Sequence, residues 1–242
     1  VKVAVINFSG NPGKTTLVDN LLAPRMAAQK FRVETVNTGA LHDGHAEVLK
    51  AKDFGDLQEE LMLLDSAIVD VGASNVEEFI KQMGQFDGSH EEFDCFVVPV
   101  VSEKKQQIDS ANTIETLAAL GVPAHKIRVV FNKVELEDAS DVSRLFSTIF
   151  GLHADKKCFT LKPNAVVFRN DIFERLLAFQ KSVSDIVADT TDYRTMLREA
   201  GDEDAKAHAV SMISAQRLAK SAQKNLDDVY QALFTQGERN GK

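Results

Sequence analysis

The chain has only two cysteines, Cys95 and Cys158, and neither belongs to a CxxC pair. A disulfide scaffold or a structural zinc site is therefore not expected, and the setting reads as a reducing cytoplasm. Cys95 sits inside the apolar run FDCFVVPV, where a buried thiol is the natural reading. No apolar run approaches the roughly 20 residues that a membrane-crossing helix needs, so no stable membrane insertion is expected. No signal-peptide pattern is expected either, because the first strand-like run leads straight into a functional-looking loop. Basic charge is in deficit: Asp and Glu outnumber Lys and Arg by 36 to 28, a net charge of −8. That balance argues against a broad basic surface for nucleic acid, without excluding a local patch. No internal repeat or low-complexity tract stands out.

What is present is an ordinary amount of apolar sequence: 44% hydrophobic and 26% charged residues over 242 positions. Wholesale disorder is excluded by that composition, and one α/β domain over 1–242 is the expected organisation. Apolar, β-branched runs read as strands at 1–7 (VKVAVIN), 31–37 (FRVETVN), 66–71 (SAIVDV), 95–101 (CFVVPVV), 126–132 (KIRVVFN) and 164–168 (NAVVF). Helix-length segments separate them: from Lys14, then 57–64, 75–82, 103–120, 138–150 and 171–179. This alternation predicts a mostly parallel sheet covered by helices on both faces. Residues 204–234 contain no glycine or proline. Val210, Ile213, Leu218, Ala222, Leu226, Val229 and Leu233 recur there at helical spacing, predicting a long amphipathic helix over about 203–236. It either packs on the sheet domain or forms a dimer or partner surface.

The chemistry concentrates after the first strand, where residues 8–16 read FSGNPGKTT. Backbone N–H groups of Gly10, Asn11, Gly13 and the helix start at Lys14, Thr15 and Thr16 suit a phosphate cradle, which the helix dipole reinforces. In such a loop the lysine, Lys14, reaches the β/γ-phosphates and the hydroxyl of Thr15 coordinates magnesium. The strict pattern would begin with glycine at position 8, where Phe8 stands. Asp70 ends the third run and is placed to hold the metal, a second magnesium ligand beside Thr15. Gly72 permits a close turn in the VGASN stretch, near where a γ-phosphate would lie.

Asn132, ending the fifth run, offers both a donor and an acceptor for an adenine edge. A guanine site would use a carboxylate two residues after Lys133, and Glu135 keeps that alternative open, as does a simple strand-end turn. Asp43, in the polar loop with His42 and His45, is the preferred water-orienting residue for hydrolysis. The two histidines alone are a thin pattern for a transition metal. Arg217, Lys220 and Lys224 share a helical face that is either solvated or a weak, salt-sensitive DNA contact. Arg194 and Arg198 lie one helical turn apart.

The FSGNPGKTT loop, the VDVGASNVEEF segment and the helix start SEKKQQID together resemble the ParA/MinD class of deviant-Walker P-loop ATPases, and within it the StbB-type plasmid stability proteins. The resemblance covers roughly residues 1–180. It implies the P-loop NTPase fold, ATP and Mg2+ as cofactors, and ATP-dependent sandwich homodimers acting as positional switches. It further implies a plasmid-encoded DNA-binding partner and a role in plasmid partition or conjugative transfer. Lys14, Thr15, Asp70 and Asn132 match its phosphate, magnesium, Walker B and adenine positions. Three positions depart from the class. Ser9 stands where the lysine that crosses the dimer is found, Gly39 aligns with the catalytic aspartate, and Pro12 removes one loop N–H. The departures imply slow or partner-stimulated hydrolysis. A metabolic kinase or synthetase and a non-hydrolysing nucleotide-binding scaffold are the alternative readings.

Overall fold

The computed structural model describes residues 1–35 and 46–235. Seven strands form one sheet: β1 (Lys2–Val5), β2 (Gln29–Val33), β3 (Ala46–Leu49), β4 (Ala67–Val71), β5 (Cys95–Val100), β6 (Ile127–Val134) and β7 (Val166–Phe168). Their order is β3-β2-β4-β1-β5-β6-β7, and every pairing between neighbours is parallel. Parallel strands must be joined by crossovers, which place helices over both faces. The alternation along β1 shows the result: Ala4 and Ile6 enter one core layer, Val3 and Val5 the other.

The first layer is closed by α2 (Phe54–Leu63), α3 (Val76–Gln85), α4 (Lys104–Ala119), α5 (Val142–Leu145) and α6 (Ser147–Lys156). The second is closed by α1 (Lys14–Leu17), α7 (Ile172–Phe179), α8 (Val183–Ala188) and the long α10 (Glu203–Phe234). A short helix, α9 (Tyr193–Glu199), lies against α10.

Helix α10 starts where the Asp202 side chain accepts the Ala205 N–H, a standard N-cap. It buries Ala209, Met212, Ala215, Ala219, Ala222, Leu226, Val229 and Leu233, a stripe of i+3 and i+4 steps. Polar contacts fix its register. Asn225 accepts the Phe168 N–H and donates to the Val166 carbonyl, satisfying the edge of β7. Arg128 donates to the Leu233 carbonyl, and its guanidinium lies over the Phe234 ring. Arg25 reaches Asp227 at 2.6 Å and the Asn20 and Leu21 carbonyls at 2.9 Å.

Three local features differ from the sequence expectation. β3 was not anticipated, because AEVL is a half-exposed edge strand without an apolar run. The segment expected as one helix over 138–150 splits into α5 and α6, with a break at Phe146. The helix after the P-loop passes into a π-helical turn, Val18–Leu22, after only four residues.

Candidate functional site

β1 lies at the centre of the sheet, flanked by β4 and β5, neither of which is the next strand in the chain. Strand order reverses here, and the loops leaving the carboxyl ends of the strands open a crevice at such a point. The P-loop candidate leaves β1 at this place. Gly13 has φ +84°, the left-handed region, and caps the start of α1. A Cβ added to it would stand 2.4 Å from Asn132 Nδ2. Glycine is therefore required twice over, by backbone and by space. Gly10, by contrast, is exposed, and a Cβ there would touch nothing within 4 Å.

Lys14 is 7% exposed and turns back on its own loop, donating to the Asn7 carbonyl at 3.1 Å and the Ser9 carbonyl at 2.9 Å. Burial lowers its pKa, and the nearby Asp70 carboxylate opposes that shift. Thr15 donates its hydroxyl to Asp70 Oδ2 at 2.7 Å. Asp70, at the end of β4, is 4% exposed. Burial raises its pKa, while the Thr15 hydrogen bond, Lys14 and Arg32 pull it down. Lys14, Thr15 and Asp70 thus converge, as the sequence placed them. The donor set of a hydroxyl and a buried carboxylate consists of hard oxygens, which suits magnesium better than a softer metal. Among the described residues no cluster of three or more His, Cys, Asp or Glu is poised for a metal. That is compatible with an ion held by one or two protein groups plus phosphate oxygens.

Asn132 and Lys133 were read from the sequence as base contacts and flanking residue; the structure ties both to the P-loop. Between Phe131↔Val166 and Val134↔Phe168 β6 carries one residue more than β7, a bulge, and Lys133 sits there at φ +58°. The bulge turns the Asn132 amide onto the Pro12 carbonyl at 2.7 Å, while its Oδ1 accepts the Lys133 N–H. Lys133 Nζ reaches the Asn11 carbonyl at 3.2 Å. Asn132 is 4% exposed and retains one N–H and one lone pair beyond these bonds. Glu135, the guanine-type carboxylate position, is paired with Arg169 at 2.9 Å.

Ser9 is buried and committed. Its N–H donates to Asn7 Oδ1 and its hydroxyl to Gln106 Oε1 on α4. Asn7 in turn donates to the Pro99 carbonyl and to Ser110 Oγ. This brace between β1, β5 and α4 was not read from the sequence; its signal is the polar Asn7 ending an apolar run. Gly72 packs tightly, since a Cβ there would lie 3.0 Å from the Val33 carbonyl. Thr16 gives its carbonyl to Asn20 Nδ2. Gly39, His42, Asp43 and His45 lie outside the described residues.

Comparison with solved structures identifies the architecture. MinD from Aquifex aeolicus, in a MinC:MinD cell division protein complex, is similar over 100% of this chain and 98% of that chain, with TM-score 0.55 and 11% identity. MinD from the same organism alone gives TM-score 0.53 and 10% identity, covering 100% and 99%. The fold is that of the MinD cell division protein. Apo McdA from Cyanothece is also similar, at TM-score 0.49 and 13% identity over 88% and 98% of the two chains. No family model and no curated protein sequence matches the chain. No helix among the described residues is long and apolar enough to cross a membrane.

Proposed function

We propose that this protein is an ATP-binding switch with slow or partner-stimulated, Mg2+-dependent hydrolysis, acting in plasmid stability, partition or conjugative transfer. One observation carries the reading: the Thr15 hydroxyl and the buried Asp70 carboxylate meet at 2.7 Å beside a buried Lys14 on a loop capped by left-handed Gly13. In this reading the loop N–H groups from Gly10 to Thr16 take the phosphates. Lys14 exchanges the Asn7 and Ser9 carbonyls for phosphate oxygens, which favours its charged form in a buried place. Bound magnesium would neutralise phosphate charge, with Thr15 and Asp70 as its protein-side groups. Asn132 holds the loop in shape and gives its remaining N–H and lone pair to the adenine edge. Asp43 orients water.

Ser9 favours a second reading, a scaffold that binds nucleotide without turning it over. Its hydroxyl is tied to Gln106, so this position supplies no charge to a partner's nucleotide. The test is solution mass by light scattering with Mg2+ and ATP, then with ADP, and with Lys14→Ala as control. The switch reading expects a dimer with ATP only, lost in the control. A monomer under saturating ATP overturns the self-contained dimer switch and leaves the scaffold.

A further inference from the structure

Away from the nucleotide crevice, α9 and α10 leave a groove between them. Two adjoining depressions of about 220 and 490 Å³ share Arg194, Ile213 and Arg217 as walls. Arg198 closes one end and Lys220 the other. Four cations thus line one groove on a chain whose net charge is −8. Among the described residues none of the four forms an ion pair, and Arg198 donates only to the Thr195 hydroxyl. The carboxylate at the rim, Asp192, is already used: it caps α9 through the N–H groups of Arg194 and Thr195 and accepts the Thr195 hydroxyl. It lies on the groove wall and offsets one of the four positive charges, interacting electrostatically with Arg198, so the groove keeps a net positive charge.

The floor is apolar. Ile213 and Leu197 are half-buried there, and Val210 is 53% exposed. We propose that this groove is the docking site for an acidic, leucine-bearing peptide segment of a partner protein. Charge complementarity selects the sign of the occupant, and the apolar floor selects its kind. A nucleic-acid backbone would pair with the arginines yet leave Val210, Ile213 and Leu197 uncovered. Four cations would also give it only modest, salt-sensitive affinity. A peptide alternating carboxylates with leucines satisfies both features, its apolar side chains on the floor and its charges on the arginine rim. This inference does not rest on the proposed nucleotide function, since the groove contains none of those residues.

The experiment uses the whole chain and a fluorescein-labelled short peptide built from Glu and Leu, followed by anisotropy. Saturable binding is expected. It should weaken about tenfold or more, about 1.4 kcal/mol, in Arg194→Glu/Arg217→Glu. It should weaken similarly when Ser replaces Leu in the peptide. Lys81→Glu, a charge reversal on α3, should leave it unchanged, and circular dichroism checks that every variant keeps its helix content. Absence of saturable binding overturns the proposal. So does equal loss with Lys81→Glu, indifference to the Leu-to-Ser change, or preferential binding of duplex DNA at the same arginines.

Discussion

Substituting Gly13→Ala tests the geometry of the phosphate loop quantitatively. The left-handed backbone at φ +84° costs an alanine about 1–2 kcal/mol. The new Cβ would also meet Asn132 Nδ2 at 2.4 Å, a contact that cannot be held. Asn132 is buried and hydrogen-bonded to the Pro12 carbonyl, so it cannot step aside freely. Moving it leaves that carbonyl unpaired, at about 1–3 kcal/mol. The total, about 2–5 kcal/mol, corresponds to roughly 4–20 °C in Tm for a domain of this size. The second part acts through one side chain and can be isolated by a double-mutant cycle. In an Asn132→Ala background Gly13→Ala should cost only the backbone part, about 1–2 kcal/mol, leaving a coupling of about 1–3 kcal/mol. Urea unfolding of the four proteins measures it. Equal costs in both backgrounds, or a single-mutant cost under about 1 kcal/mol, would refute the steric reasoning.

Other expectations follow from the same structure. Asp70→Asn keeps an acceptor for Thr15 but removes a buried charge. It should raise the Tm of the nucleotide-free protein and weaken Mg2+-ATP binding. Because burial raises the Asp70 pKa, its cost to stability is present above the carboxylate range, so the gain should vanish below about pH 4, where both states are protonated. Burial pushes the Cys95 thiol up to about 12 from 9.0. The native state therefore keeps a proton that the unfolded chain releases, and stability should fall as pH rises from about 9 towards 12, by at most about 1.4 kcal/mol per pH unit. Cys95→Ala should flatten that slope in pH-dependent denaturant titrations. Ala219→Leu should overpack α10 against the sheet layer and cost about 1–3 kcal/mol by thermal melting. Arg25→Ala should destabilise more than Asp227→Asn. Arg25 also serves three backbone carbonyls, those of Asn20, Leu21 and Gln223, whereas Asp227 is half exposed, where an ion pair contributes little.

The strands that build the site were legible because central parallel strands are largely apolar: β1, β4 and β5 lie within the expected runs, and β6 starts in its run and continues two residues past it to Val134. β3 was invisible because an edge strand with one exposed face carries no such run. In α10 the C-terminal half was read correctly, with Ala222, Leu226, Val229 and Leu233 buried. The N-terminal half was read one step off: the buried positions are Ala209, Met212, Ala215 and Ala219, while Val210 is exposed. Alanine contributes little to a hydrophobic-periodicity count yet permits the closest packing. The meeting of Thr15 with Asp70 followed from motif and strand-end position alone. The turning of Asn132 onto Pro12 did not, because it depends on a bulge with lysine at positive φ, a conformation for which no local residue preference argues.

The central claim is that the Gly13-Lys14-Thr15 loop binds Mg2+-ATP. Isothermal titration of ATP into the protein, with and without Mg2+, tests it most directly, with Lys14→Ala measured alongside. Saturable one-site binding that strengthens with Mg2+ and disappears in Lys14→Ala is the predicted result. Absence of binding at saturating ATP, or binding that Lys14→Ala leaves intact, would contradict it.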